Sequence, residues 1–314
     1  MNLPNVPITD IKVHHKDLVV ATQGRAFWIL DNIIALHQIT ATTSASEVRL
    51  LKPRDGYRTR IAANVLGPNI EYYLPTIPNG PVAIDILDGS GALVNSYSSD
   101  APAAGGRGGR GRGAAAAGGD PDDPDAVPNS GRGRGGFSPR VTKAEGMNRF
   151  VWDVRHQTGV TAAPGSYQAR LRVGSVTLSQ PFTVLINPNV AADGVTVADL
   201  REQFEHNLRM RRLVADASQL AARVRETQSR FAGGGGADSV KANQVDAIAA
   251  KLFTEPVRYG KPGLQAHISY LASMTTSADQ KVGHDALERY ATLRKDLDAL
   301  AAELDRVAAP AGRR

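Results

Sequence analysis

Arginine, aspartate and histidine are the side chains here that stand in groupings suggestive of chemistry. Five arginines, Arg107, Arg110, Arg112, Arg132 and Arg134, alternate with glycines, and such segments can pair with phosphates and stack on bases. No aromatic residue is interleaved among them, and Asp120, Asp122, Asp123 and Asp125 nearly cancel their charge. The segment therefore reads as a solvated loop of biased composition and not as a nucleic-acid site. Gly106 to Gly111 spells G-x-G-x-x-G, but that fingerprint works only when a strand precedes it and a helix N-terminus follows to receive the pyrophosphate. The run DPDDPD lacks the glycine and the distal glutamate of an EF-hand loop.

The histidines are scattered. His14 and His15 are adjacent, and strand alternation sends them to opposite sides. His37, His156, His206, His267 and His284 follow no ligand spacing. Trp152-Asp153 has the composition of a carbohydrate platform, although a tryptophan in a strand more often fills a core. Neither G-x-S-x-G nor H-E-x-x-H occurs, and a pair of acids for glycoside hydrolysis is defined by spatial separation, not by sequence. Zero cysteines exclude disulfides, thiolate zinc sites and cysteine nucleophiles. No catalytic, cofactor-binding or metal-binding residue is assigned, and no cofactor is expected. The net charge of +6 bears on solubility and encounter, not on specificity. No apolar run reaches the ~18 residues of a membrane-spanning helix, and the first residues, MNLPNVPITD, lack the succession of a secretory signal.

The elements that would position such residues fall into three groups, and the expected fold class is a multidomain β plus α chain. In residues 1–47, Ile11 to His14, Leu18 to Thr22 and Ala26 to Leu30 are short runs rich in β-branched and large apolar side chains, separated by His15-Lys16-Asp17 and Gln23-Gly24-Arg25. They predict a three-stranded meander, with Asn32 to Glu47 as a linker. Residues 48–189 carry short strands bounded by Pro, Gly, Asn or Asp: 48–51, 57–61, 70–74, 82–87, 92–97, 149–154, 166–173 and 176–186. About eight such strands fit a β-sandwich of the immunoglobulin or fibronectin III kind. Residues 101–136 interrupt it with Val127 as their only large aliphatic residue, and are expected to be a disordered insert.

Residues 190–314 change character. Thr196 and Asp199 predict a capping box, followed by an amphipathic helix carrying Leu200, Phe204, Leu208, Leu213, Leu220 and Val224 and ending near Phe231. A second helix is expected over 239–253; 264–274 is short and apolar on one side, and 277–280 begins a long final helix or its approach. Leu287, Tyr290, Leu293, Leu297, Leu300, Leu304 and Val307 recur at threes and fours along the last, the seam of an α-helical hairpin or small bundle.

The residues LVVATQGRAFWILD resemble the closing strands of the last blade in bacterial β-propellers of the BNR-repeat, sortilin-like class, often labelled glycosyl hydrolase. GMNRFVWDVR at Gly146 to Arg155, APGSYQARLRV at Ala163 to Val173 and LQAHISYLASM at Leu264 to Met274 extend the similarity. The resemblance implies a propeller-blade remnant joined to the sandwich and the helices, in a parent family that is secreted or periplasmic. It implies a non-catalytic accessory region that braces the propeller and binds a protein or glycan partner. The alternative it carries is part of a sialidase-like glycoside hydrolase with its active site in upstream blades; the S-x-D-x-G-x-T-W box of sialidase propellers is not found in this chain. A meander cannot bury both faces by itself, so Val19, Val20, Phe27, Trp28 and Ile29 are the expected docking residues.

Overall fold

The computed structural model describes residues 5–39, 46–59, 67–100, 139–233, 236–255, 257 and 260–309. Residues 101–136, expected to be a disordered insert, and the end of the strand expected at 57–61 lie outside these residues. The chain combines β and α structure in two compact units, residues 1–157 with 164–187, and residues 158–163 with 188–314.

The first unit holds three sheets. Strands β1 (Ile8–His14), β2 (Asp17–Thr22) and β3 (Phe27–Leu30) form the expected meander in the order β1-β2-β3. The connection after it includes one helical turn, α1 (Ile34–His37), where only a linker is expected. Eight strands follow: β4 (Arg49–Leu50), β5 (Gly56–Tyr57), β6 (Asn69–Leu74), β7 (Val82–Asp88), β8 (Leu93–Ser98), β9 (Gly146–Val151), β10 (Gly165–Val173) and β11 (Val176–Leu185). They make a five-stranded sheet, β5-β11-β10-β7-β8, and a three-stranded sheet, β4-β6-β9.

Alternation decides which side chains enter the core. Along β10, Tyr167, Ala169, Leu171 and Val173 are buried, and across the ladder they meet Phe182 and Leu178 on β11 and Ile86, Ile84 and Val82 on β7. On the other sheet Ile70, Tyr72, Leu74 and Phe150 are fully buried. Aromatic contacts join the two layers: Tyr97 of β8 lies 4.8 Å from Phe150 of β9, and Trp152 lies 5.1 Å from Tyr167. The β7–β8 turn is closed by Asp88, whose Oδ1 accepts from the amides of Ser90 and Ala92, with Gly91 at φ 86° where a side chain would be strained. The strands expected over 82–87 and 92–97 thus pair as a hairpin.

The second unit is helical: α2 (Pro188–Ala192), α3 (Val197–Phe231), α4 (Ala237–Leu252), α5 (Leu264–Thr276) and α6 (His284–Ala308). The capping box forms as expected, with the Thr196 side chain accepting from the Asp199 amide and the Asp199 carboxylate accepting from the Thr196 amide. The long helix α3 packs against α4, α5 and α6 around Leu213, Leu220, Val224, Val245, Ile268 and Leu297. The last helix starts at His284 after Gly283 as its extended N-cap, so 277–280 are its approach. One detail differs from expectation. The buried stripe at the start of α3 is Leu200, Gln203, His206, Asn207 and Met210, with Phe204 and Leu208 only half-buried. The amides are there for a reason: Gln203 Nε2 donates to the carbonyls of Thr275 and Ala278, and Asn207 Nδ2 donates to Thr275. They satisfy carbonyls at the end of α5 that its own ladder leaves open.

Candidate functional site

Directly opposed residues of an antiparallel ladder share a face, so the meander's register sorts its side chains. Ile11, Val20 and Trp28 stand opposite one another, as do Val13, Leu18 and Leu30. All six lie on one face, which continues at its end with Ile8 opposite Thr22. Lys12, Val19 and Ile29 align on the reverse face, together with Ala21 and Phe27. The expected docking set therefore divides: Val20 and Trp28 belong to the first face, and Val19, Phe27 and Ile29 to the second. Both faces are open to solvent, with Phe27 75% exposed, Ile29 61%, Ile11 59% and Val13 58%.

The β1–β2 turn joins this sheet to its surroundings. His15 and Lys16 occupy it at φ 48° and 68°, the signature of a tight two-residue hairpin turn that ordinarily selects Asn or Gly. His15 is thus in a turn and not a strand, so the alternation expected of it does not apply. Its ring lies edge-on against that of His14, with centroids 4.1 Å apart.

The turn lines a cleft of about 660 Å³ with Lys16, Lys52 and Arg54 as its cations and Ile34, Phe182 and Leu185 as apolar lining. Arg54 pairs with Asp17 at 3.0 Å. Beyond Arg54 lies a smaller pocket of about 140 Å³, lined by Asp17, Asp31, Asn32, Asp55 and Asn69 among others. Asp17 Oδ1 accepts from the Asn32 amide at 2.9 Å, and Asp55 Oδ1 accepts from the Thr183 amide at 2.8 Å.

Two polar networks and one buried histidine lie elsewhere in the fold. Asn95 Nδ2 donates to the Tyr97 hydroxyl at 2.8 Å, and that hydroxyl donates to Asp153 Oδ1 at 3.1 Å. Burial pushes the Asp153 carboxyl above the usual carboxylate range; burial, then the Asp153 charge, pushes the Tyr97 hydroxyl up as well. Asp85 is buried between Ser96, Arg170 and Arg172 at 2.7, 2.9 and 3.0 Å. Burial acts to raise its pKa, but the hydrogen bonds from Ser96 and the two guanidiniums outweigh it and hold the carboxyl below its ordinary range. In the helical unit His206 is fully buried, neither ring nitrogen has a hydrogen-bond partner, and its ring meets Tyr290 edge-on at 5.8 Å. Burial, and secondarily the charge of Arg209, hold it below the ordinary histidine value.

Trp152 is 0% exposed and packs on Tyr167 and Phe182, so it is a core residue and presents no platform. Among the described residues no group of three His, Cys, Asp or Glu side chains is placed to hold a metal ion by itself. Sequence reasoning brings forward neither the pocket of Asp17, Asn32, Asp55 and Asn69, whose members are far apart in the chain, nor the buried polar stripe of α3. The second leaves a signal, polar residues at helical spacing on an otherwise apolar face. No helix among the described residues is long and apolar enough to cross a membrane.

No protein-family profile and no curated protein matches the chain. Among solved structures it is similar to PorZ, an essential bacterial surface component of the type-IX secretion system of Porphyromonas gingivalis, at 16% identity and a TM-score of 0.18. The match covers 57% of this chain and 23% of that one, so it spans about a quarter of PorZ.

Proposed function

We propose that the chain is a non-catalytic accessory region of an exported β-propeller protein of the BNR-repeat, sortilin-like class, and that its meander docks between neighbouring blades. The observation that carries this is the register of β1, β2 and β3, which puts Ile11, Val13, Leu18, Val20, Trp28 and Leu30 on one face while Val19, Phe27 and Ile29 remain on the other. In β2 and β3 apolar residues run through both faces, Leu18-Val19-Val20-Ala21 and Phe27-Trp28-Ile29-Leu30, as suits strands flanked by sheets on both sides, whereas the edge strand β1 alternates Ile11 and Val13 with Lys12 and His14; burying each aliphatic side chain contributes about 1.5–3 kcal/mol. In this reading residues 1–47 are the blade remnant, residues 48–189 an immunoglobulin- or fibronectin III-like sandwich and residues 190–314 the helical brace. The division of eight strands into sheets of three and five, with β5 running parallel to β11 at the sheet edge, supports the sandwich assignment.

The docking residues are Val19, Val20, Phe27, Trp28 and Ile29, joined on the first face by Ile11 and Val13. The partner is the rest of the propeller, and protein or glycan ligands would meet the assembled surface. The experiment mixes the chain with a propeller of this class truncated before the closing strands of its last blade. A one-to-one complex that is lost in Val20→Arg/Trp28→Arg supports the proposal. Failure of the unaltered chain to associate, or association unaffected by that double substitution, overturns it.

A further inference from the structure

We propose that the cleft at the β1–β2 turn binds a carboxylate-bearing saccharide, held at its acid group by Lys16 and Lys52 and along its ring by the apolar and hydroxyl lining. The cleft encloses about 660 Å³, a size found among small-molecule sites. Lys16, Lys52 and Arg54 line it with one carboxylate, Asp55, so three cations face one anion and the excess is two positive charges. Asp17 answers the Arg54 guanidinium, and Asp55 Oδ1 accepts from the Thr183 amide. Lys16 and Lys52 form no ion pair among the described residues. A concave wall lined by one sign of charge concentrates the opposite sign in front of it.

The turn that carries Lys16 is a second, independent observation. His15 and Lys16 hold φ 48° and 68°, a conformation that Asn-Gly adopts readily and that strains most other residues. Asn-Gly would reverse the chain at less cost but would supply no cation, whereas both residues present line the cleft. The two lysines also stand on fixed backbone. The Lys16 carbonyl accepts from the Ile33 amide at 2.8 Å, and the amide and carbonyl of Lys52 both bond the Gln38 carboxamide, at 2.7 and 3.1 Å. Their stems are therefore placed before a ligand arrives, which lowers the ordering cost of binding.

The rest of the lining selects the body of the ligand. Ile34, Phe182 and Leu185 supply apolar surface, and Tyr57, Ser166 and Thr183 supply hydroxyls. A bare inorganic anion would leave the apolar part uncovered, and a hydrocarbon would leave the ammoniums unanswered. Among the described residues that line the cleft there is no glycine, the usual means of turning successive backbone amides onto a phosphate, which favours a carboxylate as the charged group. A sugar acid carries a carboxylate, hydroxyls and an apolar ring face together. The cleft lies wholly within the first unit, and the inference does not depend on what covers the meander's faces.

The test is titration calorimetry of the full chain with trigalacturonate in about 0.15 M sodium chloride, where long-range attraction is screened. Neutral galactotriose and triglutamate serve beside it as probes of the ring alone and the charge alone. Trigalacturonate should bind saturably and the other two should give little heat. Lys16→Asn/Lys52→Gln should weaken that binding about tenfold while keeping the far-UV spectrum and, because Asn tolerates positive φ, the thermal stability. Lys52→Gln alone, at an exposed position, serves as a second variant should the pair fail to fold, and should show a smaller loss of the same kind. Absence of trigalacturonate binding, or binding unchanged in the variants, overturns the proposal. Equal binding of triglutamate would mean that charge alone is read, and equal binding of galactotriose that the lysines take no part; either overturns it as well.

Discussion

The meander and the β10–β11 hairpin are built from similar residues and meet different fates. In β10, Tyr167, Ala169, Leu171 and Val173 project inward, and strands on both sides, with a second sheet beneath, seal them from water. In the meander, Ile11, Val13, Phe27 and Ile29 are as apolar, yet more than half of each is exposed. An alternating or apolar run states what a strand must cover for the fold to be stable. Whether the same chain supplies the cover is a separate fact, and only three-dimensional placement reveals it.

The contrast can be broken most severely at the sealed end. Trp152→Ala removes the ring that contacts both Tyr167 and Phe182, and should cost about 3–5 kcal/mol in denaturant unfolding monitored by far-UV circular dichroism. Next comes Asp85→Asn, which leaves two guanidiniums and Ser96 facing a neutral amide on the sheet's outer side. The arginines are partly exposed, so the expected loss is about 1–2 kcal/mol, toward the low end for a broken charge-assisted network. Because the folded-state pKa of Asp85 is lowered, its contribution is present above the unfolded value near ~3.9 and fades as pH falls through the lower folded value. The variant should lack that part of the acid-unfolding limb.

His206 gives a smaller effect at milder pH. Its pKa is depressed in the folded state, so below the unfolded value of about 6.5 the unfolded chain takes up a proton that the folded chain refuses. Stability of the helices should fall as pH drops from about 6.5 toward the folded value, and His206→Leu should flatten that slope in urea titrations at successive pH values. The smallest effect belongs to the uncovered sheet: Phe27→Ser/Ile29→Ser should change stability by no more than about 0.5 kcal/mol, while reducing binding of a hydrophobic dye.

Much of this fold is legible in the residues themselves. Thr196 and Asp199 mark the start of α3 because the capping box is local chemistry, and strands such as β7 and β10 stand out because turn residues punctuate a period of two. The meander is legible for the same reason, but the division of Val20 and Trp28 from Val19, Phe27 and Ile29 rests on inter-strand register, which only pairing settles. Gln203 and Asn207 resist reading because their partners are carbonyls at the far end of another helix. Asp17, Asn32, Asp55 and Asn69 come together only through the docking of one sheet on another, and no spacing along the chain announces them.

The central claim, that the meander's apolar residues are left uncovered by the described residues, is tested most directly by acrylamide quenching of the chain's two tryptophans. Trp28 lies on the face with Ile11 and Val20, and Trp152 is fully buried against Tyr167 and Phe182. The account predicts that the Trp152→Phe variant, reporting Trp28 alone, is quenched several-fold more strongly than Trp28→Phe, and that a blade-truncated propeller protects it. Equal and weak quenching of both variants would mean that the face is already covered, and would contradict the account.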